Sequence, residues 1–116
     1  MIRKVTFEDS DEGRRRFKFI WDGFRAGTMS QKPEARTPDV MRNEAEIRKL
    51  LKSVSTNGEA RDIDARDLQA GGGSVSFEQP LIKLIIAYGW AVQWTPASLE
   101  DAIDALDFID SCPEDN

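Results

Sequence analysis

Between Arg15 and Trp21 apolar and cationic residues alternate, with Phe17, Phe19 and Trp21 at every second position. A period of two puts such side chains on one face of a strand. Val5-Thr6-Phe7 lies upstream, across the polar run from Glu8 to Gly13, so the opening segment predicts a β-hairpin closed at Gly13. Arg14, Arg16 and Lys18 would then share the hairpin's other face. From residue 22 to 36 two glycines, a proline and mostly polar side chains predict a loop.

The period then changes. Thr37-Pro38-Asp39 combines a capping hydroxyl, a proline suited to the first helical position and an acid for the positive helix end. The helix is expected to run to about Ser53, and Val40, Ile47, Leu50, Leu51 and Val54 fall within an arc of about 100°. Residues 55–73 read as a second loop ending in the triple glycine 71–73, and Ser74-Val75-Ser76-Phe77 as a second hairpin or a strand. The run from Leu81 to Val92 is apolar around the whole helical circumference except for Lys83. It predicts a central buried helix, with a buried strand over 81–87 as the competing reading. Trp90 and Trp94 are placed at the core's edge. Thr95-Pro96 repeats the helix-start signal, and Leu99, Ala102, Ile103, Leu106 and Ile109 carry helical spacing through Ser111. The tail 112–116 is expected to fray. These elements make a small single α+β domain spanning 1–116, with an N-terminal hairpin, about three helices and a short second strand pair.

Composition narrows what such a domain does. With 116 residues there is room for one core. No histidine is present, which removes Ser-His-Asp and Cys-His nucleophiles and every histidine-ligated metal site. The single cysteine, Cys112, has no internal partner and suits a reducing cytoplasm. No apolar run approaches the roughly 18 residues of a membrane span, and Met-Ile-Arg-Lys-Val does not open a signal peptide. The expectation is a cytoplasmic, non-enzymatic protein without cofactor or metal, because the acids lie on exposed faces where nothing raises a pKa.

The formal charge of −5 is unevenly distributed, with a net +3 over residues 1–36 and −7 over 69–116. On a helical projection of the last segment, Glu100, Asp101, Asp104 and Asp107 lie opposite an apolar arc centred near Leu99 and Leu106, and Phe108 falls between Asp101 and Asp104. A ring among acids suits a protein-binding patch, the charges steering a basic partner. It suits equally a face covered by another part of the chain. Three carboxylates at three-residue steps give about one charge per 4.5 Å, against about one per 1.7 Å on duplex DNA, so one helix is too dilute to imitate nucleic acid.

Other candidates carry less. Asp62-Ile63-Asp64-Ala65-Arg66-Asp67 lacks the glycine and closing glutamate of a calcium loop. The triple glycine has neither dinucleotide nor phosphate-loop spacing and reads as a turn. Cations interleaved with rings at Arg14, Arg16 and Lys18 match the chemistry of a single-strand nucleic-acid surface, but an amphipathic strand with its rings inward is the better reading, since an acidic domain would repel the rest of the strand. The opposite charges of the two ends also fit homo-oligomerisation.

Three further segments bear on origin. Met41-Arg42-Asn43-Glu44-Ala45-Glu46-Ile47, Val75-Ser76-Phe77-Glu78-Gln79-Pro80-Leu81 with the later Trp90, and the run from Leu99 to Phe108 together resemble a group of small proteins of tailed bacteriophages and prophages. The resemblance spans Val40 to Cys112. It implies a phage origin and carries no functional residue with it. The expected function is an interaction protein that docks its acidic C-terminal helix on a basic surface, either to inhibit a host nucleic-acid-handling or defence complex or as a virion-assembly component.

Overall fold

The computed structural model describes residues 1–56 and 64–114. Among these, strand β1 (Ile2–Phe7) is followed by helices α1 (Asp11–Met29) and α2 (Pro38–Lys52), strand β2 (Gly73–Glu78), and helices α3 (Gln79–Ala91) and α4 (Pro96–Asp110). The class is α+β. Single 3-10 turns lie at Pro33–Ala35 and Ala65–Asp67.

The N-terminal hairpin does not form. β1 stands alone in the first third of the chain, and the segment that would return along it is the first 19 residues of helix, α1. Ser10 caps that helix, its hydroxyl accepting the backbone N–H of Gly13 at 3.0 Å, and Asp11 and Glu12 sit in the positive first turn. Phe17, Ile20, Trp21 and Phe24 follow at the i, i+3, i+4, i+7 positions of a helix, and all four are buried. The apparent alternation at Phe17, Phe19 and Trp21 arises because the helix is broad enough to bury Phe17 and Trp21 while leaving Phe19 half-buried at its flank. The expected loop over 22–36 is accordingly helical to Met29, and its glycines have a packing role. Gly27 lies so close to α3 that a Cβ there would sit 2.5 Å from the Cβ of Tyr88.

β1 finds its partner 70 residues away. It pairs antiparallel with β2, from Ile2 opposite Glu78 to Phe7 opposite Gly73. Arg3, Val5 and Phe7 with Val75 and Phe77 face inward, while Thr6 and Ser74 meet through their hydroxyls at 2.9 Å on the outer side. The second hairpin is therefore a single strand. Gly71 and Gly72, at φ +83° and +74°, make the turn before it, and Asp9 fastens that turn to the start of α1 by accepting the N–H of Gly71 at 3.0 Å.

The other helices stand close to expectation. The Thr37 hydroxyl accepts from Val40 N–H at 3.3 Å, whereas Thr95 makes no such bond. Ile47, Leu51 and Val54 are buried, with Val40 and Leu50 half-buried. Residues 81–91 are helix, not strand, but the central helix is α1, which packs against α3, α4 and β1. α3 has a solvent side bearing Lys83, Ala87 and Trp90, the last 51 % exposed. Only Trp94 of the tryptophan pair is partly covered, resting on Phe19 and donating its indole N–H to the Gly89 carbonyl at 3.0 Å.

The end of the chain is fastened as far as Glu114. Arg3 donates to the carbonyls of Asp110 and Cys112, capping the negative end of α4, and Lys4 N–H donates to Pro113 at 2.9 Å. Cys112 is buried, and burial pushes its thiol above the usual range. The expected fraying thus does not apply to 112–114, and residues 115 and 116 lie outside the described residues.

Candidate interaction surface

The acidic helix divides into two sides. Toward α1, Arg16 forks onto Asp104, with Nε to Oδ2 at 3.0 Å and a terminal nitrogen to Oδ1 at 3.3 Å, and also reaches Glu12 at 2.6 Å. Its guanidinium lies over the Phe108 ring, 4.6 Å from the centroid. Arg15 meets Asp101 at 3.5 Å. The hydrogen bond from Arg16, aided by its charge, holds the Asp104 carboxyl below the usual carboxylate range, and Asp104 in turn raises Arg16. Phe108 itself is half-buried, its ring tilted against Phe7 at 6.0 Å, and Phe7 meets Phe17 edge-on at 5.2 Å. The covering segment is α1.

These contacts rotate α4 relative to the sequence expectation. The buried arc is Ala102, Ala105, Leu106 and Ile109, about 60° from the arc centred on Leu99 and Leu106. The physical reason is that turning Phe108 and Asp104 onto α1 leaves Leu99 and Ile103 outside. They are 44 % and 36 % exposed. Glu100, Asp107 and Asp110 flank them, all exposed, and form no ion pair with any described residue. So of the five residues singled out on this helix, Asp101, Asp104 and Phe108 face the chain's own α1, and Glu100 and Asp107 face solvent.

The basic candidates are likewise spoken for. Arg14 pairs with Asp9 at 2.7 Å and Asp11 at 3.1 Å, and Lys18 with Asp22 at 2.8 Å. With Arg16 held by Glu12 and Asp104, the strand face expected to present these three cations does not exist. The +3 and −7 portions of the chain complement one another within a single molecule. In the loop expected to be a polar linker, Asp62 and Ile63 lie outside the described residues. Asp64 and Asp67 use their carboxylates to cap the 3-10 turn, accepting from Arg66 N–H at 3.2 Å and Asp64 N–H at 2.8 Å. Among the described residues no three His, Cys, Asp or Glu side chains are grouped to hold a metal ion.

One polar cluster escaped the sequence reading. Glu44 has no exposed surface, and its two oxygens take Arg36 and the Tyr88 hydroxyl, each at 2.6 Å. The signal was present: Val40, Glu44, Ile47 and Leu51 form one i, i+4, i+7, i+11 stripe, with a carboxylate where an apolar residue belongs. Burial and the adjoining Glu44 carboxylate push the Tyr88 phenol strongly upward. The cluster ties the 33–36 turn, α2 and α3 together, and both carboxylate oxygens are used in doing so.

No protein-family model matches the chain, and no curated protein or solved structure matches it.

Proposed function

We propose that this is a non-enzymatic interaction protein whose outward α4 face, Leu99, Glu100, Ile103, Asp107 and Asp110, docks on a basic groove of a larger complex. The observation that carries the reading is the exposure of two large aliphatic side chains one helical turn apart, edged by three acids without a described ion partner. Leu99 and Ile103 supply the i, i+4 anchors of a helix laid in a groove, and the acids select a cationic rim and speed its approach. Asp101, Asp104 and Phe108 support this face from behind, because Arg15 and Arg16 fix the rotation of α4. A phage origin, resting on the resemblance of residues 40–112, would place the partner in a host nucleic-acid-handling or defence complex, with a virion component as the other setting.

The test is capture from bacterial lysate with the wild type and with Ile103→Lys/Asp107→Lys. Both positions are exposed, so the fold should survive, which circular dichroism would verify. The expected result is a partner retained by the wild type at low salt, weakened as salt rises, and lost by the double variant. Recovery of the same proteins by both would sink the reading.

A further inference from the structure

Helices α2 and α4 share one plan. Each has 15 residues, begins on proline after a threonine and leaves one stripe uncovered by the rest of the chain. On α2 the stripe is Met41, Ala45, Lys49 and Lys52, the fourth, eighth, twelfth and fifteenth residues of the helix. The first three are exposed, Met41 by 50 %, and Lys52 is half-buried. On α4 the same four positions carry Leu99, Ile103, Asp107 and Asp110, all exposed. At 100° per residue each set spans an arc of about 80°. Both stripes therefore begin apolar and end charged, and their charges are opposite. The fifth positions extend the match, with Arg42 on α2 and Glu100 on α4. Lys49 and Lys52, like Asp107 and Asp110, form no ion pair with any described residue. The exposed acids of α2, Asp39 and Glu46, lie about 60° or more beyond the edge of its stripe.

We infer that the basic surface which takes the outward face of α4 is α2 of a second copy of this chain, so that copies associate head to tail. The inference rests on α4 being a docking face and names its partner. Register selects a parallel arrangement. With the two helices side by side and their N-termini together, Leu99 and Ile103 lie against Met41 and Ala45, and Asp107 and Asp110 against Lys49 and Lys52. The antiparallel arrangement would set aliphatic side chains against lysines and leave both rows of charge unanswered. Ala45 is the small residue that lets Ile103 approach closely. The cations of α1 cannot serve instead, because Arg14, Arg16 and Lys18 are already paired within the molecule. The two stripes sit on different helices, so the contact is heterologous: a copy whose α4 is covered still presents α2. Such contacts build rings or open chains.

Sedimentation of the purified protein tests it. At about 20 mM salt the wild type should gain mass as its concentration rises to about 1 mM, and at about 1 M salt, where the Debye length is about 3 Å, it should return toward monomer. Two variants block one side each. Arg42→Glu/Lys49→Glu reverses the α2 stripe and Glu100→Lys/Asp107→Lys the α4 stripe, all at exposed positions, with circular dichroism verifying each fold. Each variant alone should be monomeric. Their mixture should associate, because the reversed α4 then meets the reversed α2 and the unaltered stripes meet each other. Ala45→Glu, one exposed position of good helix propensity, should by itself weaken association at least about tenfold. A wild type monomeric throughout, association surviving in either variant alone, or a mixture that stays monomeric would overturn the inference. If the purified wild type is monomeric yet captures from lysate a protein that Ile103→Lys/Asp107→Lys loses, this inference fails and the docking face of α4 stands.

Discussion

The hydroxyl of Tyr88 donates a 2.6 Å hydrogen bond to Oε2 of Glu44, a carboxylate without exposed surface whose other oxygen holds Arg36. A buried carboxylate persists only when both oxygens are answered, and here α3 supplies one answer and the 33–36 turn the other. Glu44→Ala leaves a buried phenol and half-buried guanidinium behind and should cost about 3 kcal/mol. Tyr88→Phe removes one charged hydrogen bond and should cost about 2 kcal/mol. Urea denaturation measures both, and values within about 0.5 kcal/mol of the wild type would mean that the cluster contributes nothing to stability.

The same pair predicts an alkaline transition. The folded pKa of Tyr88 is raised above its unfolded value of about 10, so its contribution to stability is complete below that pH and is lost as pH climbs toward the folded value. Tyr88 is the chain's one tyrosine, so the near-ultraviolet absorbance gained when tyrosinate forms, above the background of the three tryptophans, reports its ionisation. Tyrosinate should appear only as the protein unfolds above about pH 10, and Tyr88→Phe should flatten the fall in melting temperature there. A smooth titration near pH 10 in the folded protein would contradict the burial argument.

At the acid end the sign reverses. Arg16 depresses the pKa of Asp104, so this ion pair stabilises above the unfolded carboxyl value and its contribution disappears as pH falls through the lower folded value. Asp104 is partly exposed, and solvent screening limits the effect of Asp104→Asn at pH 7 to about 1 kcal/mol or less. Thermal melts from pH 7 to 2 should show the wild type and this variant converging below about pH 4. A constant gap across that range would assign the loss to packing instead.

Helix contacts give an ordering. At Gly27 an added Cβ would meet the Cβ and backbone oxygen of Tyr88 at 2.5 and 2.8 Å, whereas at Gly89 it would meet the flexible end of Leu106, whose Cδ2 lies 2.5 Å away. Alanine favours a helix over glycine by about 1 kcal/mol, which offsets a small shift but not a displaced backbone. Gly27→Ala should be destabilised by about 2 kcal/mol and Gly89→Ala distinctly less. Chemical denaturation of the two side by side checks the order.

The candidate surface was partly legible before folding. The acidic helix and its bounds followed from Thr95-Pro96 and the apolar spacing, because caps and periodicity act within a few residues. Which way it faced did not. Helical projection assigned Leu99 and Ile103 to the core, and the contact of Phe108 with Phe7, 101 positions away in the chain, turned them out. The buried Glu44 stood visible on its stripe, yet its partners Arg36 and Tyr88 come together only when α3 packs on α2.

By itself the sequence determined the class, the spans of α2 and α4, the glycine turn and the absence of imidazole chemistry, all of which depend on local backbone preference or on composition, while it left helix and strand both open over 81–87. Tertiary structure decided the rest. The stretch from Arg15 to Trp21 satisfies a period of two and of 3.6 at once, and it becomes helix because β2 takes the place beside β1 and Ser10 caps the alternative. The opposite charges at the two ends became an internal interface for the same reason. Long-range packing chooses among locally acceptable conformations, and burial of the Phe7, Phe17 and Phe108 rings outweighs the small local preference between them.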